Sequence, residues 1–147
     1  MSDAPLSFTD IGLLLAFHDA GSPERQRAAA EWMRRLWLDN TGRLDVSVLS
    51  RLYEALTRGR SPGLPRAEAR QVVRELAAWQ PAVTTARTLN AAWQLEDRFE
   101  LGYDEALLVG AAKVAGCRYL LTDALPAGRD LDGLLVVDPL TTPPGLS

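Results

Sequence analysis

With 147 residues, 47% of them apolar and 24% charged, the chain has the make-up of a single globular domain, which excludes a fibrous or intrinsically disordered protein. A formal charge of −3 excludes strong unspecific attraction to polyphosphate, so a nucleic-acid partner would have to meet a local basic patch. Cys117 is the only cysteine; an internal disulfide cannot form, and a reducing, cytoplasmic setting is expected.

Residues 1–5 are expected to be disordered. Residues 6–9 read as a short first strand running into Asp10, and residues 11–19 as a buried first helix. The apolar run Ile11–Phe17 is too short for a membrane span and lacks the preceding Lys or Arg of a leader, so no membrane partner is expected. Ser22, Pro23 and Glu24 make a helix start, after which Ala29, Trp32, Met33, Leu36 and Trp37 recur at helical steps until residues 40–42. A strand at 44–46, a helix at 48–58, a Gly- and Pro-rich loop at 59–65 and a helix from 66 to 79 follow. Pro81 opens a brief strand near 82–84, and Thr85 caps a helix that runs through Phe99 and closes near Gly102. Next come a helix opening on Asp104 and Glu105, a turn at Gly116 and Cys117, and a strand at 119–121 that ends on Thr122 and Asp123. A last strand is expected at 132–137 and a flexible tail at 141–147, which leaves 6–140 as the domain.

Short apolar strands alternating with helices predict a single-domain, three-layer α/β/α fold with a short, mainly parallel central sheet. Ligands of such folds sit beyond the carboxyl ends of the strands, where Asp10, Ser47 and Asp123 fall. Acids at a helix start and at strand ends, aimed at one spot, are how an α/β domain builds a divalent-metal site. Other chemistries fall away. The chain has no glycine-rich phosphate loop, and Lys113 lies inside a helix. His18 is the only histidine; it sits in an apolar helix with no cysteine partner and no serine placed as a nucleophile, and is assigned to packing. Trp32, Trp37, Trp79 and Trp93 lie mostly on apolar faces and are assigned to core or subunit packing.

Four stretches carry a resemblance. They are Asp10-Ile11-Gly12 with the apolar helix behind it, Val48-Leu49-Ser50-Arg51-Leu52-Tyr53, Leu101-Gly102-Tyr103-Asp104-Glu105-Ala106-Leu107, and Gly116-Cys117-Arg118-Tyr119-Leu120-Leu121-Thr122-Asp123-Ala124-Leu125. With the closing Leu134-Leu135-Val136-Val137-Asp138-Pro139, their order and spacing resemble the PIN domain, especially the VapC-type toxin ribonucleases, across residues 6–140. The resemblance implies a Mg2+- or Mn2+-dependent endoribonuclease of a toxin–antitoxin pair, in which three or four carboxylates hold one or two ions. It also implies a small antitoxin-like protein and RNA as partners. Mg2+ favours hard oxygen ligands and keeps several waters, which is why such a site needs clustered acids and no nucleophilic side chain.

The acid set is incomplete. Asp10 keeps the first carboxylate, but Ile11 and Gly12 stand where the family has Thr and Asn. The family's glutamate falls on Arg51, its third acid on Glu105 with Asp104 beside it, and its fourth on Ala124 with Asp123 beside it. Arg51 is expected either to bridge Asp10 and Glu105, filling the space of an ion, or to point to solvent and leave the pocket vacant. The expectation is therefore a PIN-like domain with a degenerate active site and weak or absent nuclease activity. A second reading keeps an active, divergent endoribonuclease that uses Asp10, Glu105 and Asp123 as catalytic metal ligands, supplemented by Asp104 or by Glu54, which lies one turn after Arg51. A third is a non-catalytic protein-interaction module. Mg2+ or Mn2+ is the cofactor of the active reading, and the other two need none. Arg66, Arg70 and Arg74 recur every four residues as a stripe suited to an RNA backbone or to a solvated face. The apolar content of the second and third helices predicts a homodimer.

Overall fold

The computed structural model describes residues 4–145. β1 (Ser7–Thr9) leads into α1 (Ile11–Phe17) and α2 (Pro23–Asp39), then β2 (Gly42–Arg43), α3 (Val46–Thr57) and α4 (Arg66–Leu76). α5 (Ala86–Phe99) and α6 (Tyr103–Val114) precede β3 (Tyr119–Leu121), β4 (Asp130–Leu131) and β5 (Leu134–Val137). The strands lie in the order β2-β1-β3-β5-β4, and every neighbouring pair is parallel except β4 with β5.

Successive strand residues point to opposite faces of the sheet. Phe8, Leu120, Leu134 and Val136 enter a core roofed by α5 and α6, whereas Tyr119, Leu121 and Val137 enter a second core with α1, α2, α3 and α4. Strands covered on both sides must be apolar on both sides, and these are. The result is the expected three-layer α/β/α domain with a mainly parallel sheet. α5 and α6 approach closely because Gly110 carries no side chain: a Cβ there would stand 3.3 Å from both Thr88 O and Ala92 N. Among the described residues, no helix is long and apolar enough to cross a membrane.

Several boundaries differ from the sequence expectation. The strand expected at 44–46 is Gly42–Arg43, because Asp45 caps α3 and Val46 already belongs to that helix. The strand expected at 82–84 reduces to one parallel bridge between Ala82 and Asp45. The expected strand at 132–137 is a hairpin in which Asp132 (φ 61°) and Gly133 (φ 98°) make the tight turn between β4 and β5. α1 stops at Phe17 rather than residue 19, and the helix expected to reach 79 gives way to a 3₁₀ turn over Ala77–Trp79. Ser22 precedes α2 but makes no side-chain cap; Pro23, whose missing N–H is harmless there, opens the helix. Of the segment expected to be disordered at 1–5, residues 1–3 lie outside the described residues, as do 146 and 147 of the expected tail. Within that tail, Trp32 Nε1 donates to Thr142 O at 2.8 Å, and Thr142 N–H donates to Asp138 O at 3.0 Å.

Candidate functional site

The chain steps from β1 to β2 on one side and to β3 on the other, so the winding reverses at β1. In open α/β sheets the carboxyl ends of strands at such a reversal form a crevice. Here they open on a cleft of about 420 Å³ lined by Asp10, Asp45, Arg51, Asp104, Glu105 and Ala124, together with Ser47 and Thr84. Four carboxylates and one guanidinium therefore face the same space.

Three of the acids are tied to the start of a helix. Asp10 is the N-cap of α1, and its Oδ1 accepts the Ile11 N–H at 2.8 Å. Its Oδ2 accepts the buried Thr122 hydroxyl at 2.7 Å, and Thr122 Oγ1 in turn accepts the Ala124 N–H at 3.0 Å. The chain leaving β3 is thus fastened to the chain leaving β1. Asp45 is the N-cap of α3; its Oδ1 accepts the Val48 N–H at 2.8 Å and the Ser47 hydroxyl at 2.7 Å. Glu105, in the first turn of α6, reaches back so that its Oε1 accepts the Gly102 N–H at 3.0 Å. The positive ends of α1, α3 and α6 offset part of the negative charge gathered there. Asp104 is exposed on the first turn of α6 and lines the cleft.

Arg51 Nη2 stands 3.6 Å from Asp10 Oδ1, with the arginine side chain 58% exposed and the aspartate 13%. The bridge from Arg51 to Glu105 is not made: among the described residues Arg51 pairs with Asp10 alone, and the Glu105 carboxylate is turned back to its own helix start. A pair this exposed on one side contributes about 1 kcal/mol or less to stability.

Other residues singled out from the sequence lie elsewhere. Asp123 is exposed and does not line the cleft. Its carboxylate stands over the start of α1, where a Cβ at Gly12 would lie 3.7 Å from Asp123 Oδ1. Glu54 faces a separate surface depression with Arg51, Ala55, Arg58 and Gly59. Arg66, Arg70 and Arg74 are exposed on α4, and the latter two border a groove on the far flank of α3 from Arg51. His18 is partly buried; burial, and then the Arg60 charge, hold its imidazole below the ordinary pKa. Arg60 also donates to His18 O at 2.6 Å, which pins the loop at 59–65 to the end of α1.

Asp45 was hidden by the strand expected at 44–46. The signal for it is an Asp placed immediately before an apolar helix, the ordinary mark of an N-cap.

Among the described residues, no three His, Cys, Asp or Glu side chains converge closely enough to hold a metal. Both Asp10 oxygens are already engaged, one oxygen each of Asp45 and Glu105 is engaged in a cap, and a guanidinium adjoins Asp10. No protein-family model matches the chain, and no curated protein matches it at a significant level.

Proposed function

We propose that the chain is a PIN-like domain, related to the VapC-type endoribonucleases, whose metal-holding carboxylate set has been dismantled, so that the cleft persists with weak or absent nuclease activity. The observation that carries this reading is the Arg51–Asp10 ion pair. It places a fixed positive charge against Asp10, the acid that follows β1, at the position where the resemblance implies a glutamate ligand. The placement of Asp10, Thr122 and Glu105 around one cleft, at a reversal of strand order, supports descent from a nuclease of that kind. Without an ion, four carboxylates facing the cleft repel a phosphodiester, and none of the residues there is a nucleophile that attacks one unaided. The active alternative built on Asp10, Glu105 and Asp123 would require Arg51 to leave Asp10 and Asp123 to turn into the cleft.

The test is RNA cleavage in Mn2+ and in Mg2+ by the native chain and by Asp10→Asn. Equal, background-level rates are expected. Metal-dependent cleavage by the native chain that Asp10→Asn abolishes would overturn the reading.

A further inference from the structure

The amino ends of the strands, at the opposite end of the sheet from the cleft, border a cavity of about 180 Å³. Its roof is one face of α2, where Trp32, Arg35, Leu36 and Asp39 recur at three- and four-residue steps. Its floor is polar. Ser7 and Tyr119 are partners across the β1–β3 ladder, so their side chains stand side by side on the face that α2 covers. Thr41 adjoins them, because its carbonyl accepts the Ser7 N–H at 2.9 Å. Ser7 is only 5% exposed, and Thr41 and Tyr119 are 7% exposed, yet none of the three hydroxyls has a hydrogen-bond partner among the described residues. Nor are these oxygens sealed from solvent, as the partnerless Thr9 Oγ1 and Trp79 Nε1 are; the cavity is the space that the three residues share. A buried hydroxyl left unanswered is unfavourable, so three gathered on one space point to a ligand that answers them.

The rim and the walls define that ligand. Arg35 Nε donates to Asp39 Oδ2 at 2.9 Å on the exposed side, so the two charges among the described lining residues cancel. The Arg35 Nη groups and Asp39 Oδ1 have no partner among the described residues. Trp32 spends its N–H on Thr142 O, so it offers the cavity its apolar ring, beside Leu36. We propose that this cavity binds a small uncharged molecule with neighbouring hydroxyl groups, a short polyol or a small sugar. Hydroxyls both donate and accept, so those of the ligand complete those of Ser7, Thr41 and Tyr119. At the rim, the free carboxylate oxygen accepts O–H groups and the guanidinium donates to hydroxyl oxygens, while the C–H face of the ligand meets Trp32 and Leu36. The volume equals the liquid share of roughly six waters, which suits such a molecule and is too small for a nucleotide. A zwitterion would have to part Arg35 from Asp39, and an anion would meet the Asp39 carboxylate. The inference does not depend on the chemistry of the cleft.

The experiment follows the amide resonances of the full chain by NMR during titration with erythritol, with a butanediol that lacks neighbouring hydroxyls, with glycine and with inorganic phosphate. Erythritol is expected to give saturable shifts confined to Ser7, Thr41, Tyr119 and the last two turns of α2, with a dissociation constant of about 1–10 mM. The butanediol is expected to bind at least about tenfold more weakly. Tyr119→Phe and Thr41→Val each remove a hydroxyl that the protein itself does not use, so both variants are expected to keep the native Tm and to weaken erythritol binding about tenfold. Shifts that do not saturate, an equal response to the butanediol, tighter binding of glycine or phosphate, or an erythritol affinity that survives both substitutions would overturn the proposal. So would a fall in Tm that accompanies the lost binding, since the hydroxyls would then serve the fold.

Discussion

Replacing Arg51 with glutamate puts the electrostatics of the cleft to a quantitative test. The guanidinium lies 3.6 Å from Asp10 Oδ1. At such a separation two unit charges interact by about 4–5 kcal/mol at an effective dielectric of 20, and by about 1 kcal/mol in bulk water. The 58% exposure of the arginine places the pair near the lower figure. An ion of twice the charge, held at Asp10, would be repelled by about 2 kcal/mol. Removing the positive charge then raises affinity about 30-fold, and putting a carboxylate in its place doubles the effect to about 4 kcal/mol, or roughly a thousandfold. Calorimetric titration with Mn2+ should show no saturable heat for the native chain up to about 10 mM, and a dissociation constant near 0.01–0.1 mM for Arg51→Glu. A thermal melt gives an independent readout. Without ion, the variant sets two carboxylates side by side and loses about 1 kcal/mol, and Mn2+ at about a hundred times its dissociation constant returns about 2.7 kcal/mol. Sub-millimolar binding by the native chain, or an affinity unchanged in the variant, would refute the reasoning.

Asp45→Ala should cost about 1 kcal/mol in urea unfolding by removing the α3 cap, while Asp45→Asn keeps most of that stability; equal losses would show that charge, not capping, is what Asp45 supplies. Thr9→Val should stabilise the fold by about 1 kcal/mol, because the Thr9 hydroxyl is fully buried without a hydrogen-bond partner; a loss of stability would reveal a partner for that hydroxyl. His18 titrates below its ordinary value of 6.5, so the folded state takes up a proton less readily than the unfolded one. Its contribution is complete above pH 6.5 and is lost as the pH falls through the lowered value; His18→Gln should flatten the fall of Tm between about pH 7 and pH 5, and parallel profiles would dismiss the effect. Burial pushes the Cys117 thiol up to about 12, so a disulfide reagent at pH 8 should label the native chain at least about a hundredfold more slowly than the chain in denaturant; equal rates would mean that the thiol is open.

The central strands were legible because their chemistry is extreme. A strand buried on both faces must be apolar throughout, and Tyr119–Leu121, ending at Thr122, has the bounds expected of it. Where a polar residue served two needs, the sequence was ambiguous. Asp45 bridges Ala82 as a strand residue would and also caps α3, and the hydrophobicity of Leu44 and Val46 around it points to the wrong one of these roles. Asp132-Gly133 is a hairpin dipeptide, but the apolar run behind it draws the eye to one long strand, so the short β4 escapes notice. Cap geometry at Thr85 was recoverable because Thr88 answers it three residues on, with the Thr85 N–H donating to Thr88 Oγ1 at 3.2 Å.

The acids of the cleft were easy to find and hard to interpret, for one physical reason. In a wound α/β sheet each helix begins near where a strand ends, and a helix start exposes N–H groups that a carboxylate satisfies well. Asp10, Asp45 and Glu105 each answer such a start, so an acidic edge arises from folding alone. What separates a metal site from a row of caps is the direction of side chains one residue apart, which sequence spacing does not specify. Thr122 and Asp123 are neighbours, yet the first locks onto Asp10 and the second stands over Gly12. The informative residue at this edge is therefore the one that caps nothing. Arg51 lies within α3, answers no helix start, and sets its charge beside Asp10.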